Sequence, residues 1–138
     1  MAFRHSLGYY TVSSALAYAN GDVDCFTVTG LICVKLIFGI LTAAAGAANL
    51  ANWGSNPGTG TTVVFCVAAD IDTAVIGDQI SINSVAGTLT TVLTGVSAFY
   101  NFIVPTGTIF MRGTAIQGTA INHLYWIPLT AGSTVVGI

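Results

Sequence analysis

Apolar and polar residues alternate along much of this chain, and glycine beside threonine, asparagine or serine breaks the alternation at short intervals. A period of two marks a strand with one buried face, and clusters of Gly, Asn, Ser and Pro mark the turns between strands. Residues 79–84 give the cleanest case: Ile80 and Ile82 face one way, and Gln79, Ser81 and Asn83 the other. The same reasoning predicts strands over residues 9–18, 24–29, 32–41, 62–69, 88–93, 99–104, 108–114 and 123–129. Asn20-Gly21-Asp22, residues 70–78 and Pro105-Thr106-Gly107 read as turns, and residues 55–60 as a loop. Residues 135–138 form an apolar tail. The stretch from Ala43 to Trp53 is open: alanine leans helical, yet in a sheet its small side chains would let two layers approach closely.

Many short strands with at most one short helix imply an all-β, single-domain β-sandwich, jelly-roll-like fold or β-barrel. A partly extended N-terminal arm, residues 1–20, would precede a single β domain over residues 21–138. Several predicted strands are apolar on both faces, so their outer faces are expected to be covered as well.

Composition narrows the function. Of 138 residues, 54% are hydrophobic and only 6% charged, against about 25% charged in ordinary domains. There is no glutamate; the charges are Arg4, Lys35, Arg112, Asp22, Asp24, Asp70, Asp72 and Asp78. A soluble monomer normally carries a mixed charged coat. A surface of Thr, Ser, Asn and Gly suits a lipid bilayer or the inside of an assembly. Three basic residues and a net charge of −2 exclude general phosphate binding, and so a nucleic-acid partner.

The membrane alternative rests on residues 31–51, from Leu31 to Ala51, whose length matches a spanning helix. Lys35 lies inside that run, its first half is rich in strand-forming Ile, Val, Cys and Phe, and its flanks lack basic clusters. It reads better as a buried strand followed by a small-residue segment. The N-terminus lacks a continuous apolar stretch, so no signal peptide is expected.

Little chemistry is available. Cys25, Cys33 and Cys66 are odd in number and lack a CxxC spacing, which points to reduced, buried thiols of a cytosol-made protein rather than to zinc or disulfides. Asp22 with Asp24, and Asp70 with Asp72, could each present two carboxylates to a cation; aspartates that bond their own backbone in turns explain them more simply. A triad of His123, Cys66 and an aspartate can be drawn, but no spacing selects it, and His5 lies near the N-terminus. Gly54 to Gly60 has no Lys-Ser/Thr after it and is no phosphate cradle. Tyr9, Tyr10, Tyr18, Trp53, Phe99, Tyr100, Tyr125 and Trp126 could stack on sugars, although core or interface anchors are the simpler reading. No catalytic, cofactor-binding or metal-binding residue is therefore assigned, no cofactor is expected, and the chain is not expected to be an enzyme.

The C-terminal third carries distinctive wording: Val104-Pro-Thr-Gly-Thr-Ile109, Gly113-Thr114, Gly118-Thr119, Tyr125-Trp126-Ile127-Pro128-Leu129 and Ala131-Gly-Ser-Thr-Val-Val136. Together with Phe26-Thr-Val-Thr-Gly30 and the Asn/Gly/Pro loop before Thr61, it resembles small tailed-bacteriophage virion proteins over roughly residues 24–136. That resemblance implies a capsid decoration (cement) protein, a β-sandwich or jelly roll, often trimeric, made in the host cytoplasm and seated on the major capsid protein at the virion surface. It brings no catalytic residues. A tail, fibre or host-binding virion component is the alternative within the same resemblance.

Overall fold

The computed structural model describes residues 3–4, 10–45, 49–82, 89–92, 101–116 and 118–138. All regular structure among them is strand: β1 (Phe3–Arg4), β2 (Tyr10–Ala17), β3 (Gly21–Thr29), β4 (Ile32–Ala43), β5 (Leu50–Pro57), β6 (Val63–Val64), β7 (Ala69–Asp70), β8 (Gln79–Ile82), β9 (Leu89–Val92), β10 (Phe102–Val104), β11 (Gly107–Gly113), β12 (Thr119–Pro128) and β13 (Thr134–Gly137). They form two antiparallel sheets and no closed barrel, the architecture of a β-sandwich. The first sheet runs β1-β2-β12-β4-β8-β9, with β10 also on β4; the second runs β13-β3-β11-β5-β6, with β7 also on β5. The chain repeatedly changes sheet, as from β3 to β4 and from β12 to β13, so neighbours in sequence face each other across the core.

The core lies between the layers. β4 contributes Val34, Ile37 and Leu41, β12 contributes Ala120, Leu124 and Trp126, and the opposing sheet supplies Phe26, Val28, Trp53, Ile109 and Met111. Three bulges tune the central pairs, the first leaving Thr42 extra between Thr119↔Ala43 and Ala120↔Leu41. The β12–β4 register passes from Tyr125↔Leu36 to Trp126↔Val34, leaving Lys35 as the extra residue. The β11–β3 register passes from Ile109↔Phe26 to Phe110↔Asp24, leaving Cys25 extra. Such an extra residue bends its strand and re-aims the side chains beyond it. Gly30, at φ +79°, makes the β3–β4 crossing so close to Ser133 that a Cβ would lie 2.5 Å from its hydroxyl oxygen.

Four expectations are corrected. The strand expected over 62–69 survives only at its ends, as β6 and β7. β5 pairs Ser55 and Gly54 with Val63 and Val64, then Ala51 and Leu50 with Ala69 and Asp70. Asn52 and Trp53 thus oppose the four residues from Phe65 to Ala68. Phe65 and Cys66 are both buried, which successive residues of a regular strand cannot be against one core. The loop expected at 55–60 begins later, because β5 continues to Pro57 beside β11. Gly21 and Asp22, read as a turn, already belong to β3 and pair with Gly113 and Arg112. The apolar tail is largely strand β13, paired with β3.

Other stretches follow the same logic. Residues 10–17 of the expected arm form β2, paired with β12 along its length. Within the run from Leu31 to Ala51, residues 32–43 are β4 and 50–51 open β5. No helix among the described residues is long and apolar enough to cross a membrane. His5, Tyr9, Phe99 and Tyr100 lie outside the described residues, as does part of the stretch from Ala43 to Trp53.

Candidate interaction surface

The two outer faces of the sandwich differ in chemistry. On the second sheet, Asp22, Asp24, Thr108 and Arg112 alternate with core positions of β3 and β11. Arg112 Nε and Nη2 donate to the two Asp22 oxygens at 2.5 and 3.1 Å. The Thr108 hydroxyl donates to Asp24 at 2.9 Å. The Arg112 guanidinium also lies 5.1 Å from the Phe110 ring centroid and covers that ring. Around β3 and β11 this face is polar and its charges answer one another, while Val136, opposite Thr27, and Val63 and Val64 at the β6 edge stand exposed on the same sheet. The carboxylate beside Arg112 holds the guanidinium pKa above its ordinary value.

On the first sheet the outward row of β12 is Ile121, His123, Tyr125 and Ile127, alternating with the buried Ala120, Asn122, Leu124 and Trp126. β4 brings Phe38 opposite His123 and Ile40 opposite Ile121. The rings form a ladder: Phe38 to His123 at 4.9 Å and Phe38 to Tyr125 at 6.4 Å between centroids. β2 adds Thr11, Ser13, Ala15 and Ala17 beside them. No carboxylate stands on this face among the described residues, and the nearby cation, Lys35, donates to the Asn101 side chain at 2.5 Å. An outer sheet face of a solvated sandwich is normally polar; this one is a neutral patch whose centre is aromatic and isoleucine side chains, bordered by Thr11 and Ser13 on β2 and by Gln79 and Ser81 on β8. His123 belongs to it, and partial burial holds its pKa below the ordinary histidine range.

Comparison with known proteins returns nothing: no family model, curated protein or solved structure matches the chain.

The residues with chemical potential are not brought together. His123 faces outward from the first sheet, whereas Cys66 is buried beside β5 of the second, where its backbone carbonyl accepts from Asn52 Nδ2 at 3.3 Å. Burial raises the Cys66 thiol pKa and pushes that of Cys25 from 9.0 to about 12. Cys25, Cys33 and Cys66 are all free and buried. Asp22 and Asp24 are engaged by Arg112 and Thr108 respectively, and Asp70 accepts from the backbone N–H of Asp72 at 2.9 Å, a local turn bond. Among the described residues no group of three or more His, Cys or acidic side chains is placed to hold a metal ion. Tyr18, Trp53 and Trp126 are buried, so they offer no open ring to a sugar.

Period-two reasoning predicted a strand over residues 123–129, short of the start of β12 at Thr119, but neither its two rows nor the surface they make. That surface needs Phe38 and Ile40, which stand more than eighty residues away in sequence. The only local signal was the two-sided apolar character of these strands.

Proposed function

We propose that this chain is a structural subunit of a protein assembly, and more specifically a capsid decoration protein that stabilises a bacteriophage head by bridging major capsid subunits. The carrying observation is the neutral outer face of the first sheet, where Phe38, Ile40, Ile121, Tyr125 and Ile127 stand with no charged side chain among them. Burying such a face against a neighbour removes apolar area from water without stranding a charge. The second sheet, with its charged row on β3 and β11, is then the side that meets solvent. The phage reading itself rests on the wording from Val104 to Val136, and homotrimer formation follows from the same resemblance.

Binding would act by mass action: occupancy of the assembled lattice, and only of that lattice, stabilises the particle. Quantitative mass spectrometry of purified virions tests this. Head-lattice stoichiometry supports decoration, a few copies per particle favours a tail or fibre part, and absence from the particle overturns the virion reading. Retention on the particle in 1 M salt is expected, because screening weakens charge pairs and not apolar contacts.

A further inference from the structure

β13 runs beside β2, which carries β1 on its edge at Tyr10 and Thr11, and the seam is closed around Gly137. There, a Cβ on Gly137 would lie 2.3 Å from the Ser13 carbonyl oxygen, and the Ser14 hydroxyl donates to the Ile138 carbonyl at 2.8 Å. Toward the start of β13 the edges part. They leave a cleft of about 400 Å³ lined by Tyr10, Trp126, Ser133, Thr134, Val135 and Val136, a volume within the range of binding sites. One wall is the Tyr10–Trp126 stack, with centroids 4.9 Å apart.

Three features say what the cleft would take. Trp126 is only 3% exposed, and its indole N–H has no acceptor among the described residues; the other tryptophan, Trp53, donates its N–H to Asn122 Oδ1 at 3.1 Å. A buried donor left without an acceptor carries a desolvation penalty that an incoming acceptor relieves. β13 ends its sheet and pairs with β3 alone among the described strands, so the part of its second backbone edge before Gly137, which β2 does not close, is a template for another extended chain. The lining holds no charged side chain. A nucleotide would need cations. A sugar would need an open ring face, and here the two rings cover each other.

We propose that this cleft receives an extended, uncharged peptide segment of a neighbouring subunit, one backbone carbonyl accepting from the Trp126 indole and one apolar side chain filling the space beside Val135. The inference rests on the assembly reading above. The indole nitrogen is covered in the free chain, so entry requires a small outward opening of β13, a four-residue edge strand held on one side.

The two tryptophans provide the test. In ¹H–¹⁵N spectra of the full chain titrated with the blocked tripeptide Ac-Val-Thr-Val-NHMe, the Trp126 indole cross-peak should move saturably while that of Trp53 stays fixed. The charged Ac-Asp-Thr-Asp-NHMe should leave both in place. Val135→Phe should abolish the response, with the unmoved Trp53 cross-peak showing that the core is kept. A Trp126 cross-peak that does not move at millimolar peptide, moves equally with the charged peptide, or shows contact with solvent water alone overturns the proposal. Particle stoichiometry is read separately, so a chain that decorates heads yet ignores the peptide refutes the cleft and spares the assembly reading.

Discussion

Asn122 shows how much one residue can carry. It is fully buried in β12, accepts the Trp53 indole N–H, and sends its own amide to the Met111 sulfur at 3.3 Å. It ties the first sheet to two strands of the second. Asn122→Ala leaves the Trp53 donor unsatisfied and is expected to cost about 1–3 kcal/mol, read as a lower denaturant midpoint at unchanged slope. Gly54 is a steric case. A Cβ there would sit 2.4 Å from the Phe110 ring and 2.5 Å from the Val63 carbonyl oxygen. Gly54→Ala must displace backbone as well as a ring, and should destabilise by about 1–3 kcal/mol, with calorimetry as the check. For Cys25, a thiol pKa of about 12 means the folded chain holds its proton longer than the unfolded one. Its contribution to stability is complete below pH 9.0 and is lost as pH rises above that value toward 12.

At the scale of elements, the central pairs β4–β12 and β3–β11 are both bulged, and the bulges at Lys35 and Cys25 decide which side chains point outward. Beyond Lys35 the β4 register is shifted, which sets Phe38 and Ile40 on the outer face while Ile37 and Leu41 remain in the core. The His123 ring stands in that outer row against Phe38. Its folded pKa is lowered by burial, whereas an unfolded histidine titrates near about 6.5. Below that pH the unfolded chain binds the extra proton first, so stability should be level at higher pH and fall as pH drops beneath about 6.5. His123→Phe should flatten that part of the profile in denaturant titrations across pH 4–8. The Asp22–Arg112 pair across β3 and β11 is a lesser matter, since both side chains are 39% exposed. Arg112→Ala is expected to cost under about 1 kcal/mol, measured by urea unfolding at low and high salt.

For the whole molecule, the asymmetry between outer faces is the property that the assembly reading uses. An aspartate introduced at Ile40, 36% exposed on the neutral face, should leave thermal unfolding nearly unchanged. It should sharply weaken retention on particles, because docking would then bury an unpaired charge. The same change at Thr27, exposed on the opposite sheet, should do neither. Equal loss at both positions, or at neither, would sink the assignment of the docking face, and pelleting of the variants with purified particles separates these outcomes.

Much of this was written in the sequence. The alternation and its glycine punctuation determined an all-β chain of short strands, because both signals act within a few residues. The charge count determined how little titratable chemistry exists anywhere in the fold. The cysteines are buried and unbridged, as their apolar settings suggested. Local reading failed where pairing at a distance overrode it, as in the broken strand between Val63 and Asp70, whose path follows Asn52 and Trp53. It also could not say which face of a strand is covered. Period two reveals that a strand has two sides and leaves open what lies against each. β12 lies between β2 and β4, drawn from residues 10–17 and 32–43. Only that long-range packing turned one row of its side chains into core and the other into an apolar outer surface.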